Sequence, residues 1–379
     1  MNLVTGAFGF SGSHVITKLL EAGEHVVGTD LQQRIDDPKV RDDMRIAAIP
    51  IDHPNLKLVG ASLLDPKGLT ALFKHRPDRV FHTASLYDYS ASLDTLRAIN
   101  VTGTQHLLDA ALASGKTLER FVHWSTCGVF GKPYTTRDGA KVNVPFSEDS
   151  PSPKNTPDHA TAPPSTHLVN AYSVSKWEQE KRVWQAHREH GLPLTVVRPA
   201  PIYGPGSSYG HGGIILAIAH GLLPAIPRDA RNYITTSVHV EDVAGFAVHV
   251  ADQPESLGED YNIVDDSIIS YWEFLQYIAL LCGRPLAGIP LVKQEHLRPF
   301  MVGAAKAWTW AQRRLNVPRV RVLEIQSATY VSSSYWLSNR KSQAAGYSYR
   351  YPDVREGLKD TVAWFRRQGW LTDTSRLLA

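Results

Sequence analysis

Tyr172 and Lys176 form the pair of residues in this sequence best suited to acid–base chemistry. Of the 15 tyrosines, only Tyr172 has a lysine four residues later. A spacing of four residues places both side chains on one face of a helix. A phenol has a pKa of about 10, but an adjacent ammonium group stabilises the phenolate and makes it a usable base at neutral pH. The pair therefore predicts proton exchange with an alcohol or ketone, and a hydroxyl at Ser125 or Thr126 would hold the substrate oxygen.

A second set of residues has the pattern of a dinucleotide site. Gly6, Gly9 and Gly12 form GxxGxxG directly after an N-terminal β-rich run and at the start of a helical pattern. These glycines allow a tight turn, close approach of the backbone to a pyrophosphate, and close packing of helix on strand. Asp30 follows 18 residues after Gly12, where a carboxylate accepts from ribose hydroxyls and repels a 2′-phosphate. The pattern predicts NAD as the cofactor, while Arg34 keeps NADP open as an alternative.

The elements that must position these residues alternate along the chain between short β-rich runs and helical patterns. Strands are predicted over residues 2–5, 25–30, 56–60, 79–83, 119–124 and 194–198, and helices over 11–22, 66–75, 94–114 and 171–190. Alternation of this kind predicts an α/β fold, a Rossmann-type doubly wound parallel sheet, with a smaller, split C-terminal substrate domain.

This alternation breaks in two places. Residues 132–169 hold seven prolines and little periodicity, which predicts a long loop of the kind that often serves as a lid. After Pro199 the pattern loosens, with a strand near 233–240 and helices over 240–251 and 271–282. We therefore predict a Rossmann domain over 1–199 and a mainly substrate-binding domain over 200–379, with segments around 236–264 returning to the first.

The composition excludes several classes of protein. The chain has 379 residues, a net charge of +3 and no basic block, which argues against a nucleic-acid partner. Two cysteines favour a reducing compartment, and no apolar run approaches the roughly 20 residues of a membrane-spanning helix. The first residues already have a strand pattern rather than that of a signal peptide, so we expect a cytoplasmic protein. No second ligand accompanies Cys127 or His82, so we expect no metal.

The sequence resembles the extended short-chain dehydrogenases, which include sugar-nucleotide epimerases and dehydratases and the 3β-hydroxysteroid dehydrogenases. The resemblance runs over nearly the whole chain. The segments that carry it are TGAFGFSG (5–12), FHTAS (81–85), INVTGTQHLLDAA (99–111), STCGVFG (125–131), NAYSVSK (170–176), VVRPAPIYGPG (196–206), SVHVEDVA (237–244) and residues 335–366.

This resemblance implies roles for individual residues. For the dinucleotide, it implies a pyrophosphate site at Gly6, Phe8, Gly9, Phe10 and Gly12 and a ribose contact at Asp30. It implies adenine contacts at Ser62 and Leu63 and contacts beneath the dinucleotide at Thr83, Ala84 and Ser85. Pro199 and Ile202 would border the nicotinamide. It also implies Tyr172, Lys176 and Thr126, rather than Ser125, as the catalytic residues, with Lys176 donating to the nicotinamide ribose. Many members carry an Asp where this chain has Ser62.

Several positions depart from the sugar-nucleotide branch of these enzymes. Dehydratases carry Asp-Glu after the catalytic hydroxyl, where this chain has Cys127 and Gly128. The Asn common in sugar-nucleotide enzymes falls at Ala200 or Pro201, and the common Arg falls at Thr235. A diphosphate without such partners is poorly held, although Arg228 and Arg231 are available as substitutes.

These departures favour the 3β-hydroxysteroid dehydrogenase branch. We expect an NAD-dependent oxidoreductase that interconverts a secondary alcohol and a ketone on a bulky, apolar small molecule. Leu86, Tyr87, Tyr89 and Trp124 would form apolar walls, with plain core packing as the equal alternative. Two other functions stay open, a sugar-nucleotide epimerase and a non-catalytic redox sensor. We also expect a homodimer, and for residues 297–316 either a buried or interface helix or a contact with a membrane surface.

Overall fold

The computed structural model describes residues 1–89, 91–115, 117–131, 145–160, 168, 170–296 and 334–371, together with positions 299, 303 and 307. Most of segment 297–316 therefore lies outside the described residues. The same is true of residues 132–144, 161–167 and 169 of the predicted proline-rich loop.

A parallel sheet of seven strands forms the centre of the described structure. In spatial order its strands are β11 (Glu259–Ile263), β6 (Leu194–Pro199), β5 (Arg120–Trp124), β4 (Arg79–His82), β1 (Asn2–Thr5), β2 (Val26–Asp30) and β3 (Leu56–Gly60). All six pairings between neighbouring strands are parallel. The predicted fold class, an α/β protein with a Rossmann-type sheet, is confirmed.

Helices cover both faces of this sheet. In chain order, the helices of the described residues, including those of the C-terminal part, are α1 (Phe10–Glu21), α2 (Gln32–Asp36), α3 (Pro38–Ile46), α4 (Pro66–Leu72), α5 (Leu93–Leu96), α6 (Gly103–Ala113), α7 (Ala171–His190), α8 (His211–Ala219), α9 (Val240–Ala251), α10 (Tyr271–Leu281), α11 (Arg340–Ala344) and α12 (Val354–Arg367). The apolar side chains of α1 and α9 pack on one face of the sheet, and those of α4, α6 and α7 pack on the other. Because both faces are buried, the strands need near-continuous apolar sequences.

The C-terminal part of the chain adds short strand pairs and a second core. The pairs are β7 (Ile202–Tyr203) with β10 (Val238–His239), β8 (Ala225–Pro227) with β13 (Ala287–Ile289), and β9 (Ile234–Thr235) with β12 (Ile269–Ser270). Apolar side chains of α8, α10 and α12 form the second core. None of the helices in the described ranges is long and apolar enough to cross a bilayer.

The elements differ from the prediction in several places beyond shifts of one residue at their ends. The strand predicted over 233–240 is divided into β9 and β10, because its two halves pair with different strands, β12 and β7. The helix predicted over 94–114 is α5 and α6 joined by a π-helical stretch, Arg97–Thr102. No strand was predicted at β11, whose sequence EDYNI places charged residues at an outer strand of the sheet.

Candidate active site

The glycine turn between β1 and α1 has the shape that the sequence predicts. Gly6 has a φ of +71°, and a Cβ at Gly12 would lie 2.2 Å from the Gly6 carbonyl oxygen and 2.7 Å from Thr83 Oγ1. Any side chain at Gly12 would therefore push α1 away from the sheet. Gly9 is the N-cap residue of α1 and makes no side-chain cap. The turn leaves bare backbone at the start of a helix, which fits the pyrophosphate of a dinucleotide.

Asp30 lies at the end of β2 beside this turn. Its carboxylate accepts hydrogen bonds from the backbone N–H groups of Phe8 at 2.9 Å and Leu31 at 2.8 Å. Arg34 lies 3.7 Å from the carboxylate and donates to the Phe8 carbonyl at 2.7 Å. These bonds fix the Asp30 carboxylate at the mouth of the turn, where it fits the adenosine ribose.

We expect wild-type protein to bind NAD(H) more tightly than NADP(H), and Asp30→Ala to narrow the difference. Like charges near a protein surface repel by about 1–3 kcal/mol at 6 Å or more, which is roughly ten- to a hundredfold in affinity. Calorimetric titration of both cofactors measures the ratio. Asp36→Ala is a matched control, because that exposed carboxylate bonds to Gln32 and should leave the ratio unchanged. A wild-type protein that prefers NADP(H) would contradict the assignment.

The first turns of α7 bring Tyr172 and Lys176 to the cavity. The Asn170 side chain accepts from Ser173 N at 2.8 Å, which caps the helix so that it begins at Ala171. Tyr172 is half-buried, and its ring makes edge contacts with Tyr87 at 5.0 Å and Tyr89 at 5.2 Å between ring centroids.

Lys176 is almost completely buried, with 2% of its surface exposed. Its Nζ donates to the Trp124 carbonyl at 2.7 Å, to Ser85 Oγ at 3.0 Å and to Gln179 Oε1 at 2.5 Å. Burial lowers the pKa of Lys176 to about 7, although the charge of Glu180 opposes this shift. The Lys176 side chain is therefore held in place by three protein acceptors.

The two hydroxyl residues predicted beside Tyr172, Ser125 and Thr126, differ in their hydrogen bonds. Ser125 also lines the cavity, but its hydroxyl donates to the buried carboxylate of Glu180. Thr126 caps a short 3-10 turn by accepting from Gly128 N at 3.2 Å, and it lines the cavity. Thr126 is therefore better placed than Ser125 to hold a substrate oxygen.

A cavity of about 860 Å³ connects the glycine turn to α7. Its lining includes every site residue that the sequence and the resemblance indicated: Gly6, Phe8, Gly9, Phe10, Gly12, Asp30, Ser62, Leu63, Thr83, Ala84, Ser85, Thr126, Tyr172, Lys176, Pro199 and Ile202. The four residues expected as apolar walls, Leu86, Tyr87, Tyr89 and Trp124, also line it. The fold thus brings all of these residues to one space, whose volume lies within the usual range of ligand-binding pockets.

Aromatic rings line the cavity beside Tyr172. Tyr209 contacts Tyr87 at 4.8 Å and Phe10 at 5.8 Å between ring centroids, so it joins the glycine turn to the region of Tyr172. Further tyrosines line the same space at positions 233, 271 and 335. Tyr209 and these three tyrosines were not predicted from the sequence, because each comes from a different C-terminal segment. The glycines around Tyr209, which indicate an exposed loop, were the one local signal.

Few charges face this cavity. Among the described residues, Arg34 and Lys176 are the only arginine or lysine side chains in its lining. His14 and His211 also line it, but burial lowers the pKa of each to about 4, so both are neutral at pH 7. Arg228 packs beside Gly288, and the Arg231 guanidinium lies 4.7 Å from the Trp272 ring centroid. Arg228 and Arg231, the two arginines considered as diphosphate partners, therefore make other contacts. Neither belongs to the cavity lining that the described residues form.

A buried ionic cluster connects α7 to the central sheet. The Arg198 guanidinium lies 2.6 Å from Glu180 and 2.5 Å from Asp260, and all three side chains are at most 1% exposed. Glu180 also accepts from Trp184 Nε1 at 3.0 Å and from Ser125. This cluster joins α7, β6 and β11, and it lies one helical turn beyond Lys176.

The model of the NAD dependent epimerase/dehydratase family matches residues 2–264 of this sequence. The chain belongs to this family. The assignment agrees with the glycine turn, with Asp30 and with the placement of Tyr172 and Lys176. It also confirms the resemblance on which the sequence analysis relied.

Individual members of the family to which the chain is similar differ in their reactions. Tetraketide alpha-pyrone reductase 2 of Arabidopsis thaliana is 29% identical over 71% of this chain and 78% of its own length. A 3-beta-hydroxysteroid dehydrogenase of Mycolicibacterium neoaurum is 24% identical over 86% of this chain and 81% of its own length. The structure of UDP-glucose 4-epimerase from Thermus thermophilus in complex with NAD has a TM-score of 0.66 at 22% identity, covering 96% and 98% of the two chains. This last likeness shows the fold alone.

Proposed function

We propose that this protein is an NAD-dependent oxidoreductase that interconverts a secondary alcohol and a ketone on a bulky, largely apolar substrate. The observation that carries the proposal is the character of the cavity beside Tyr172. Tyrosine rings line it, and the described residues present no arginine or lysine there apart from Lys176 and Arg34. A nucleotide diphosphate needs charged or bidentate partners, whereas an apolar ring system needs such walls.

Different residues of the chain would bind the dinucleotide and transfer the proton in this reaction. The glycine turn and Asp30 would hold the dinucleotide, which supplies the hydride acceptor or donor when bound. In oxidation, the Tyr172 phenolate would take the proton of the substrate hydroxyl as the carbon–hydrogen bond to the carbinol carbon breaks. In reduction, the phenol would return that proton to the ketone oxygen.

Lys176 and Thr126 would assist Tyr172. The Lys176 ammonium would favour the phenolate through its charge, and Thr126 would donate a hydrogen bond that orients the substrate oxygen. Cys127 follows Thr126, and burial raises the pKa of its thiol to about 12, so we assign it no role as a base or nucleophile. The names of two relatives, a reductase and a dehydrogenase, support an oxidoreductase but leave the substrate of this chain as a proposal.

A substrate screen tests the proposal. Purified protein is incubated with NAD⁺ and a panel of hydroxysteroids, other bulky secondary alcohols, UDP-glucose and TDP-glucose, while NADH formation and the sugar products are measured. We expect NADH with one or more bulky apolar alcohols, and none from the Tyr172→Phe control. If UDP or TDP instead binds at micromolar strength and a sugar epimer accumulates, the sugar-nucleotide epimerase function replaces this one.

A further inference from the structure

Gln179 makes hydrogen bonds at both ends of its side chain next to the proposed catalytic lysine. It lies three residues after Lys176 on α7 and is completely buried. Its Oε1 accepts from Lys176 Nζ at 2.5 Å, and its Nε2 donates to Thr104 Oγ1 at 2.8 Å. Because an ammonium group can only donate, the amide oxygen must face Lys176 and the amide nitrogen must face Thr104.

A second layer of contacts holds Gln179 in this orientation. His82 Nε2 lies 2.8 Å from Thr104 Oγ1, and His82 Nδ1 lies 2.9 Å from Thr5 Oγ1. Burial lowers the pKa of His82 to about 3, so the ring is neutral and one of its nitrogens donates while the other accepts. Thr5 Oγ1 in turn accepts from Ala84 N at 3.2 Å. A continuous line of hydrogen bonds therefore runs from Lys176 to the base of the glycine turn.

The charge of Glu180 and a set of neutral acceptors favour the charged form of buried Lys176. The titratable groups that face it are Glu180 on the same helix, His82 on β4 and His123 on β5. Burial holds the pKa of both histidines far below neutrality. The Glu180 carboxylate already accepts from Ser125 and pairs with Arg198. The remaining support comes from Ser85, the Trp124 carbonyl and Gln179, of which Gln179 makes the shortest bond.

We infer that Gln179 is a positioning residue that keeps the Lys176 ammonium charged and directed at Tyr172. The inference rests on the proposed function, because it gives Lys176 the task of making the Tyr172 phenol acidic. Without the Gln179 oxygen, a buried ammonium loses a charge-assisted hydrogen bond and deprotonates more readily. The Tyr172 phenol would then ionise at a higher pH.

The test replaces Gln179 by methionine, which has a similar shape and no amide. For alcohol oxidation, we expect the acid limb of kcat/KM against pH to move upward by about one unit, which is about a tenfold loss of rate on that limb. The pH at which NAD⁺ affinity changes, measured by calorimetry without substrate, should also move upward. Thr104→Val leaves the Gln179 oxygen in place and removes the shortest bond of its amide nitrogen, whose other contacts are Ser85 at 3.3 Å and His82 at 3.5 Å. This variant should give a smaller shift in the same direction.

Controls separate this role from a structural one. Gln185→Met removes an amide on the same helix that bonds to Glu189, and should leave both pH profiles at their wild-type positions. A Gln179→Met protein with a lower Tm but unshifted profiles would overturn the inference. If that variant does not fold, Thr104→Val decides between the same two outcomes. Full turnover in Tyr172→Phe would instead overturn the proposed mechanism, so the two failures are distinguishable.

Discussion

Replacing Tyr172 by phenylalanine should lower turnover by about 10²- to 10⁴-fold while leaving the affinity for NAD nearly unchanged. The substitution removes the oxygen that transfers the proton and keeps the ring that packs against Tyr87 and Tyr89. Lowering the pKa of a phenol from about 10 to near neutrality takes about 4 kcal/mol of differential interaction. The Lys176 ammonium and the charge of bound oxidised NAD would supply it.

Two further variants at the same site give different expected patterns. Lys176→Ala should weaken both turnover and NAD affinity, because the lysine has contacts on the floor of the cavity as well as its charge. Thr126→Ala should lower turnover by roughly a hundredfold, the size of one lost positioning hydrogen bond. Tyr277→Phe, a conservative change in the second core, is the matched control. Wild-type rates from Tyr172→Phe would end this mechanism.

Replacing Arg198 by methionine should lower the free energy of unfolding by about 3–5 kcal/mol. Methionine fills similar volume, but it leaves Glu180 and Asp260 as buried carboxylates without their shared cation. Urea denaturation followed by circular dichroism measures the change. Arg182→Met, on the exposed side of α7, should change stability by little.

The pH dependence of this loss follows from Asp260. Burial alone would raise its pKa, but Arg198, Lys154 and Lys341 hold it at about 2, below the usual 3.8. A carboxyl group with a lowered pKa stabilises the fold above its unfolded-state pKa, and the contribution disappears as pH falls through the folded-state value. The difference in free energy of unfolding between wild type and Arg198→Met should therefore be largest near neutral pH. It should decrease as pH falls from 3.8 towards 2. A difference that stays constant over this range would contradict the role of Asp260.

Local sequence patterns determined the cofactor half of the candidate site. The glycine turn, Asp30 and the Tyr172–Lys176 pair each lie within one strand, turn or helix. Their relative positions depend on the spacing of nearby residues. A spacing of three residues between successive glycines sets the turn, and a spacing of four places two side chains on one face of a helix. For the same reason, β1, β3, α7 and α9 have the predicted bounds.

Contacts between distant segments determined the rest, and these depend on how the chain crosses between layers. The commitment of Ser125 to Glu180 joins residues 55 positions apart, and the bond between Arg198 and Asp260 joins residues 62 apart. Tyr209 meets Phe10 only because the loop after β7 returns over the glycine turn. The local periodicity of the sequence does not indicate such long-range contacts. The hydrogen bonds of Ser125 and Thr126, the support of Lys176 by Gln179 and the tyrosine lining of the cavity therefore depend on the tertiary structure.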